Sequence, residues 1–213
     1  MRNGLAHQTK LAVNDVGYEY MKTKNAILAG ASLVFMSLAG CIVLSVYPFY
    51  TAKDVITDRR LPGLWVNEDK TNEFWQFSEA EGHGYSLATT DSQSTNCFEA
   101  HLFKLKQYEF LDLLSTNREE FMLPTHLISQ FKHSDKGVTL SFLDYGWLAG
   151  LLETNPAVLA HIVVPEKPGD TNNGSMVYLT APTKALQKFL LKYAADTNAF
   201  TSDSAVELRR AGQ

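Results

Sequence analysis

Hydrophobic and polar positions alternate in short runs along most of this chain, the pattern typical of antiparallel β-strands. Turn residues (Gly, Asn, Asp and Pro) separate the runs, and Ser134-Asp135-Lys136-Gly137 indicates a hairpin between two of them. We predict strands at residues 64–66, 73–77, 85–89, 97–105, 108–114, 125–132, 138–142, 157–164 and 175–179.

One predicted strand, residues 97–105, has apolar side chains on both faces. One face carries Cys97, Glu99, His101, Phe103 and Leu105, and the other carries Phe98, Ala100, Leu102 and Lys104. Because strand side chains alternate between two faces, only one of these sets can point into a given core. The pattern leaves open which set does so.

Two segments have helical spacing instead. Asp144 is a suitable N-cap for a short helix that ends at Asn155-Pro156, and a second, amphipathic helix begins near Pro182. The polar tail from 201 to 213 is expected to fray. The pattern predicts a mainly β (α+β) fold: a small antiparallel β-barrel or curved sheet with a short mid-chain helix and a C-terminal amphipathic helix.

The N-terminal part of the chain has a different pattern. No charged residue occurs in the 25 residues of Ala26–Tyr50, which follow the basic residues Lys22 and Lys24. Within this stretch stands Leu38-Ala39-Gly40-Cys41. A short basic region, an apolar core and small residues before a cleavage point are typical of a signal peptide. Met21 begins a signal of ordinary length, so we expect it to be the biological start.

These residues resemble a bacterial lipoprotein signal peptide with its lipobox (Leu38, Ala39 and Gly40 before Cys41). The resemblance implies that the Cys41 thiol receives a diacylglyceryl group, that cleavage occurs before Cys41, and that the new N-terminus is acylated, commonly with palmitate. It also implies that Ile42, which is not Asp, directs the protein to the outer membrane, facing the periplasm.

A second interpretation of the same stretch stays open. Ala26–Tyr50 is long enough to cross a hydrocarbon core of about 30 Å as a single transmembrane helix. Lys22 and Lys24 would then keep the N-terminus in the cytoplasm. Under either interpretation the protein is held at a membrane of the cell envelope, with its domain outside the cytoplasm.

The sequence is therefore divided into a leader and signal peptide (1–40), a lipid anchor and linker (41–60), one β-rich domain (61–200) and a polar tail (201–213). The 173 residues from Cys41 onwards carry 15 basic and 21 acidic side chains, a net charge of −6. This balance argues against a nucleic-acid partner, which requires clustered Lys and Arg. It also provides no attraction to anionic lipid, so the anchor must hold the protein at the membrane.

Gly63-Leu64-Trp65, in the first strand after the anchor, resembles the Gly-x-Trp signature of lipocalins. In that family the Trp packs across the barrel floor and the Gly lets the chain enter closely. The Thr-Asp-Tyr-type turn and the closing Arg of lipocalins have no evident counterpart here. The chain also resembles uncharacterised bacterial lipoproteins with a Cys, a Pro-x-Tyr segment (Pro48–Tyr50 here) and an opening Gly-x-Trp strand.

Catalytic and metal-binding patterns are absent from the sequence. The five histidines of the domain (His83, His101, His126, His133 and His161) have no metal-site spacing, and His126 and His133 should lie on opposite faces of one strand. His101 and Asp112 could meet across two strands. Cys97 is expected to be a small buried hydrophobe. We predict no metal, no cofactor and no enzymatic activity.

Two functional classes follow. In the first, a membrane-anchored envelope lipoprotein acts as a structural or interaction module that meets an unidentified protein partner. In the second, a lipocalin-like carrier binds a small apolar ligand at the barrel mouth, through the early aromatic group Trp65, Phe74, Trp75, Phe77 and Tyr85. A carrier requires an open apolar cavity of a few hundred Å³, whereas an interaction module is expected to have a filled barrel.

Overall fold

The computed structural model of the chain describes residues 43–116, 123–133, 136–165, 175–203 and 205–212. The described residues form eleven β-strands and two α-helices, together with short 3₁₀ turns. The helices are α1 (Tyr145–Thr154) and α2 (Thr183–Tyr193). The strands are β1 (Val43–Ser45), β2 (Gly63–Asn67), β3 (Phe74–Glu79), β4 (Tyr85–Thr90), β5 (Thr95–Leu105), β6 (Tyr108–Ser115), β7 (His126–His133), β8 (Val138–Phe142), β9 (His161–Pro165), β10 (Ser175–Leu179) and β11 (Val206–Arg210).

Eight of these strands close into an antiparallel barrel. Strands β2 to β8 pair in chain order, and β11 lies between β8 and β2. Leu208 of β11 pairs with Asn67 on one side and with Val138 on the other. The predicted mainly β fold with a small barrel and two helices is confirmed.

The remaining three strands form a side sheet that branches from the barrel at β7. Ser45 of β1 pairs with His126 of β7, and β1 runs parallel to β10. β9 pairs antiparallel with β10 and is the edge of this sheet. In the chain, β1 thus precedes the barrel strands, and the segment with α1, β9, β10 and α2 is inserted between the barrel strands β8 and β11.

Two hydrophobic cores result, one inside the barrel and one outside it. The interior core contains aromatic and aliphatic side chains from the barrel strands, including Trp65, Phe77 and Leu111. The outer core lies between the outer faces of β5, β6 and β7 and the two helices, where Phe110 meets Leu186 and Phe189 of α2 in one cluster.

This arrangement explains the apolar character of both faces of β5. Phe98, Ala100 and Leu102 point into the barrel, while Phe103 and Leu105 belong to the outer core. Both registers are therefore core-facing. A strand that is covered on both sides has no polar face from which a register could be read.

The structure differs from the sequence-based expectations at three places. The tail from 201 to 213 contains β11, which closes the barrel instead of fraying. The expected linker (41–60) contains β1 and the fully buried Phe49, so these residues pack as part of the domain. Cys97 lies in β5 as expected but is exposed, because its side chain points outward beyond the edge of the outer core.

The mid-chain helix begins as expected. The Asp144 side chain accepts a hydrogen bond from the Trp147 N–H at 2.7 Å, which satisfies one of the free amides of the first turn. Among the described residues, no helix has the length and apolar character needed to cross a membrane.

Candidate functional site

A strap of chain, defined here as residues 46–56, crosses the outer face of the barrel. Main-chain hydrogen bonds hold its C-terminal half to β5: Ile56 N–H donates to Leu102 O and Lys104 N–H donates to Asp54 O, both at 2.9 Å. Helix α2 covers it from outside, because Thr183 Oγ1 donates to Pro48 O and Gln187 Nε2 donates to the Asp54 carboxylate, both at 2.8 Å. The strap is therefore enclosed between the barrel and the helix.

Under the strap lies a fully buried carboxylate, Asp112 of β6. One of its oxygens is 2.7 Å from Nδ1 of His126 on β7, and the other accepts the Phe49 N–H of the strap at 3.0 Å. A buried carboxylate is costly unless strong hydrogen bonds compensate its lost hydration. Asp112 thus links two barrel strands to the strap.

His101 stands beside this pair, directly opposite Asp112 in the β5–β6 ladder. Its ring stacks on Tyr50 of the strap with 4.4 Å between ring centroids, and its Nδ1 is 2.9 Å from the Tyr50 hydroxyl oxygen. Its Nε2 is 3.7 Å from the Glu99 carboxylate. A Cβ at position 84 would come within 2.9 Å of that same Nε2, so the close approach requires Gly84.

Burial sets the protonation of these two rings. It raises the pKa of Tyr50 to about 12, with help from the negative charges of Asp112 and Glu99. It also lowers the pKa of His101 below its usual 6.5, although Glu99 and Asp112 act in the opposite direction. At neutral pH the Tyr50 hydroxyl therefore keeps its proton and can donate it to an unprotonated Nδ1 of His101.

We call Tyr50, His101, Asp112 and His126 the latch. A histidine oriented by a carboxylate is also found where proton transfer occurs. Here, however, both histidines are about nine-tenths buried, and Ser45, which pairs with His126, donates its Oγ hydrogen to the Tyr47 carbonyl at 2.7 Å. The arrangement is suited to holding the strap.

An open groove of about 500 Å³ runs along the outer surface of β3, β4 and β5 near the latch. It is lined by Glu99, His101 and the exposed Cys97, among others, but by neither Asp112 nor His126. The carboxylate–histidine pair therefore does not open onto this groove.

The other sequence-selected histidines are dispersed. His126 and His133 lie on opposite faces of β7 as expected, His126 in the latch and His133 edge-on to Trp65 inside the barrel. His83 is exposed, and Nδ1 of His161 is 2.8 Å from the Leu159 carbonyl oxygen. Within the described ranges, no group of His, Cys, Asp or Glu could hold a metal ion. The lipobox and Cys41 lie outside the described residues.

The Gly-x-Trp strand is where the barrel closes. Trp65 is buried and donates its indole N–H to Leu61 O at 2.8 Å, while Gly63 has a positive φ of 134°. Arg210 of β11 lies over the Trp65 ring, 4.4 Å from its centroid, and donates to Pro62 O at 2.8 Å. Arg210 thus covers Trp65 from a position that the sequence assigned to the tail.

The aromatic group proposed for a ligand mouth is divided by the fold. Trp65, Trp75, Phe77 and Tyr85 are buried in the interior core, and Phe74 points outward on β3 with 39% exposure. They pack with aliphatic side chains from the opposite wall, such as Leu111. The aromatic side chains thus occupy the interior.

Sequence reasoning considered a meeting of His101 and Asp112 but missed the roles of Tyr50 and Phe49. The available signal was the single carboxylate within the apolar run Phe110–Leu114, because a buried charge needs dedicated partners. The partner amide of Phe49 is 63 residues away in the chain and belongs to a segment that resembled a signal or membrane span.

Comparisons with protein-family models, with curated proteins and with solved structures found no match to this chain.

Proposed function

We propose that the protein is a membrane-anchored envelope lipoprotein whose barrel is a rigid structural or interaction module, tethered through Cys41 and without a ligand chamber. The observation that carries this proposal is the latched strap. It ties the chain that emerges from the anchor directly into the barrel wall, so that the position of the domain is coupled to that of its tether.

The latch supports a tethering role by its construction. Val43, the first described residue, already lies in a strand. Phe49, six residues further along the chain, is fully buried. An ordinary flexible linker would leave the domain free to move over a wide radius. Here only Ile42 lies between Cys41, the lipidation position, and Val43, the first residue of β1.

The strap also bears on the choice between a lipid anchor and a membrane span. Residues 43–50 of the uncharged stretch are used by β1 and the strap, which leaves the 17 residues of Ala26–Ile42. That length is at the lower limit for a transmembrane helix. It suits the apolar core of a cleaved signal peptide, and this favours lipidation at Cys41.

The packed barrel interior supports a module over a carrier. Phe77, Leu87, Leu102, Leu111, Leu113 and Leu140 are all less than 2% exposed and belong to the interior core. A carrier would need several of these side chains to move out of the lumen. The carrier remains the alternative that the experiments below address.

The anchor is tested by the intact mass of the N-terminal peptide from membrane-extracted native protein, with Cys41→Ala as the control. We expect a peptide that begins at Cys41 and carries added diacylglyceryl mass, and we expect the control to lose it. An unmodified Cys41 inside an uncleaved 26–42 segment would contradict the lipoprotein proposal.

The absence of a ligand chamber is tested with a brominated fatty acid, which quenches tryptophan on contact. The buried Trp65 and Trp75 are internal reporters, and Trp147 outside the barrel is removed by Trp147→Phe. We expect no saturable quenching. Saturable quenching at micromolar ligand would favour the carrier.

A further inference from the structure

The side sheet has an apolar face that the fold leaves open. Register places Tyr178 beside Ile162 and Met176 beside Val164, while Leu44, the neighbour of Tyr178 on β1, packs against the interior core. Paired residues share one side of a sheet, so Tyr178, Ile162, Met176 and Val164 form one surface, which we call the apron. Ile162 and Val164 are 56% and 38% exposed, respectively, and the other two are half-buried.

An edge strand of this kind is unusual in water. Proteins normally protect exposed edges with charged side chains or by covering them, because an apolar edge promotes aggregation. β9 (His161–Pro165) contains no acidic residue, lysine or arginine. Val163, which lies between Ile162 and Val164, is also 51% exposed. Such a surface is expected to have an apolar occupant.

The position of the anchor identifies that occupant. Val43 lies level with Val177, which lies level with Val163, so two strand spacings of about 4.8 Å separate Val43 from Val163. Cys41 is two residues before Val43 and therefore within about 7 Å of it. The lipidated cysteine can thus be no more than roughly 17 Å from β9.

Strand direction places the beginning of β1 and the end of β9 at the same end of the side sheet. Because β1 is parallel to β10 and β9 is antiparallel to it, the N-terminal end of β1 coincides with the end of β9 that carries Val164. Val43, the first described residue after Cys41, therefore lies at the end of β1 that is nearest to Val164 and Met176. Tyr178 adds a side chain with an apolar ring and a polar tip, the kind enriched at membrane interfaces.

We propose that the apron rests in the interfacial region of the bilayer that holds Cys41, so that the protein is anchored by its lipid and oriented by β9. This inference depends on the proposed lipid anchor. A net charge of −6 after cleavage supplies no attraction to lipid headgroups, so the contact is apolar. Because β1 is antiparallel to β7, its Val43 end points towards the barrel end that carries the β5–β6 turn, whereas the β4–β5 turn (residues 91–94) lies at the opposite end and faces away from the membrane.

The test uses the full lipoprotein, verified by mass to carry its lipid, with Cys97→Ser to remove the exposed thiol. A polarity-sensitive fluorophore is attached at Ile162→Cys, Val164→Cys or Val163→Cys, or at the control position Gln93→Cys, which is exposed in the β4–β5 turn. Each protein is bound to phosphatidylcholine vesicles that contain an acyl-chain nitroxide quencher. Thermal unfolding of each variant establishes that it is folded.

We expect at least about twofold stronger quenching at positions 162 and 164 than at 93, with 163 lower than its two neighbours because it points to the opposite face. Equal quenching at 162 and 93 in lipidated, vesicle-bound protein would overturn the inference while leaving the anchor intact. Absence of lipid quenching at 162, together with a disulfide formed between two unlabelled Ile162→Cys chains under an added thiol oxidant, would also overturn it and would identify a second copy as the occupant. Protein that lacks the lipid mass would instead overturn the proposed function.

Discussion

Several buried polar residues of this protein have hydrogen-bond partners that are far away in the chain. Asp112 lies in an apolar strand, and its two oxygens hold His126 and the Phe49 amide. Each bond satisfies a polar group that the fold has removed from water. The latch is therefore an all-or-none arrangement in which removal of one member leaves others unpaired.

Replacing Asp112 by Asn is expected to reduce the free energy of unfolding by about 3 kcal/mol, because the amide cannot accept from both partners and removes the charge that His126 faces. Urea unfolding followed by circular dichroism measures the change. Glu109→Gln is the matched control: it lies on the same strand, half-exposed, and pairs only with Lys104, so its effect should stay under about 1 kcal/mol. A similar loss in both variants would contradict the latch.

His101 provides a pH-dependent prediction. Its folded-state pKa is below 6.5, so the unfolded chain takes up the proton first as pH falls. Stability from this group is complete above pH 6.5 and decreases below it, down to the folded-state pKa, by at most about 1.4 kcal/mol per pH unit. Urea unfolding at a series of pH values measures this.

His101→Gln retains a polar group for Tyr50 but does not titrate, so we expect a flatter pH dependence between neutrality and the folded-state pKa. The control is His83→Gln, because His83 is exposed. If His101→Gln left the acid slope unchanged, burial of His101 would not be its source.

At the scale of secondary-structure elements, the two faces of β3 differ in burial. Phe77 is 1% exposed in the interior core, whereas Phe74 is 39% exposed on the same strand. Phe77→Ala should cost about 3–5 kcal/mol through lost burial and a cavity. Phe74→Ala should cost about 1 kcal/mol. Thermal and urea unfolding would compare them, and equal losses would mean that the interior is not packed as described.

The last strand is the element that the sequence pattern concealed. β11 converts an open sheet into a barrel, and Arg210 caps the closure by covering Trp65. Arg210→Ala is expected to lower the free energy of unfolding by about 2 kcal/mol, from the lost cation–π contact and two carbonyl hydrogen bonds.

Arg209→Ala is the control for that change, since Arg209 points to the other side of β11 and should alter stability by no more than about 0.5 kcal/mol. Trp65 fluorescence, read in a Trp75→Phe, Trp147→Phe background, should shift to longer wavelength in Arg210→Ala alone. A shift in both variants, or in neither, would contradict the assigned contact.

At the scale of the whole molecule, the strap and the barrel are not separable. The strap contributes Phe49 to the outer core and Tyr50 to the latch. A chain that begins at Val43 is expected to fold, whereas one that begins at Thr57 should expose apolar surface and bind a hydrophobic dye. Near-ultraviolet circular dichroism and dye fluorescence distinguish these outcomes. A folded, dye-free protein lacking the strap would show that residues 43–56 are only a linker.

Much of the architecture was predictable from the sequence because strand alternation, turn residues and helix caps are local properties. The strands from 64 to 142, the hairpin turn and the Asp144 cap could all be recognised within a few residues of chain. Mainly β character and a barrel-like closure followed from the number and shortness of these strands. The Cys41 signal is local in the same way and stays a prediction that awaits its mass measurement.

Only the tertiary structure decided the use of β1, β11 and the strap. The apolar run before Tyr50 has the same composition whether it crosses a membrane or packs on a barrel. Val206–Arg210 has a polar sequence because Leu208 is the one buried side chain among its five residues. Likewise, Asp112 meets Phe49 across 63 residues. Such contacts depend on which distant segments the fold brings together, and local pattern carries no information about that choice.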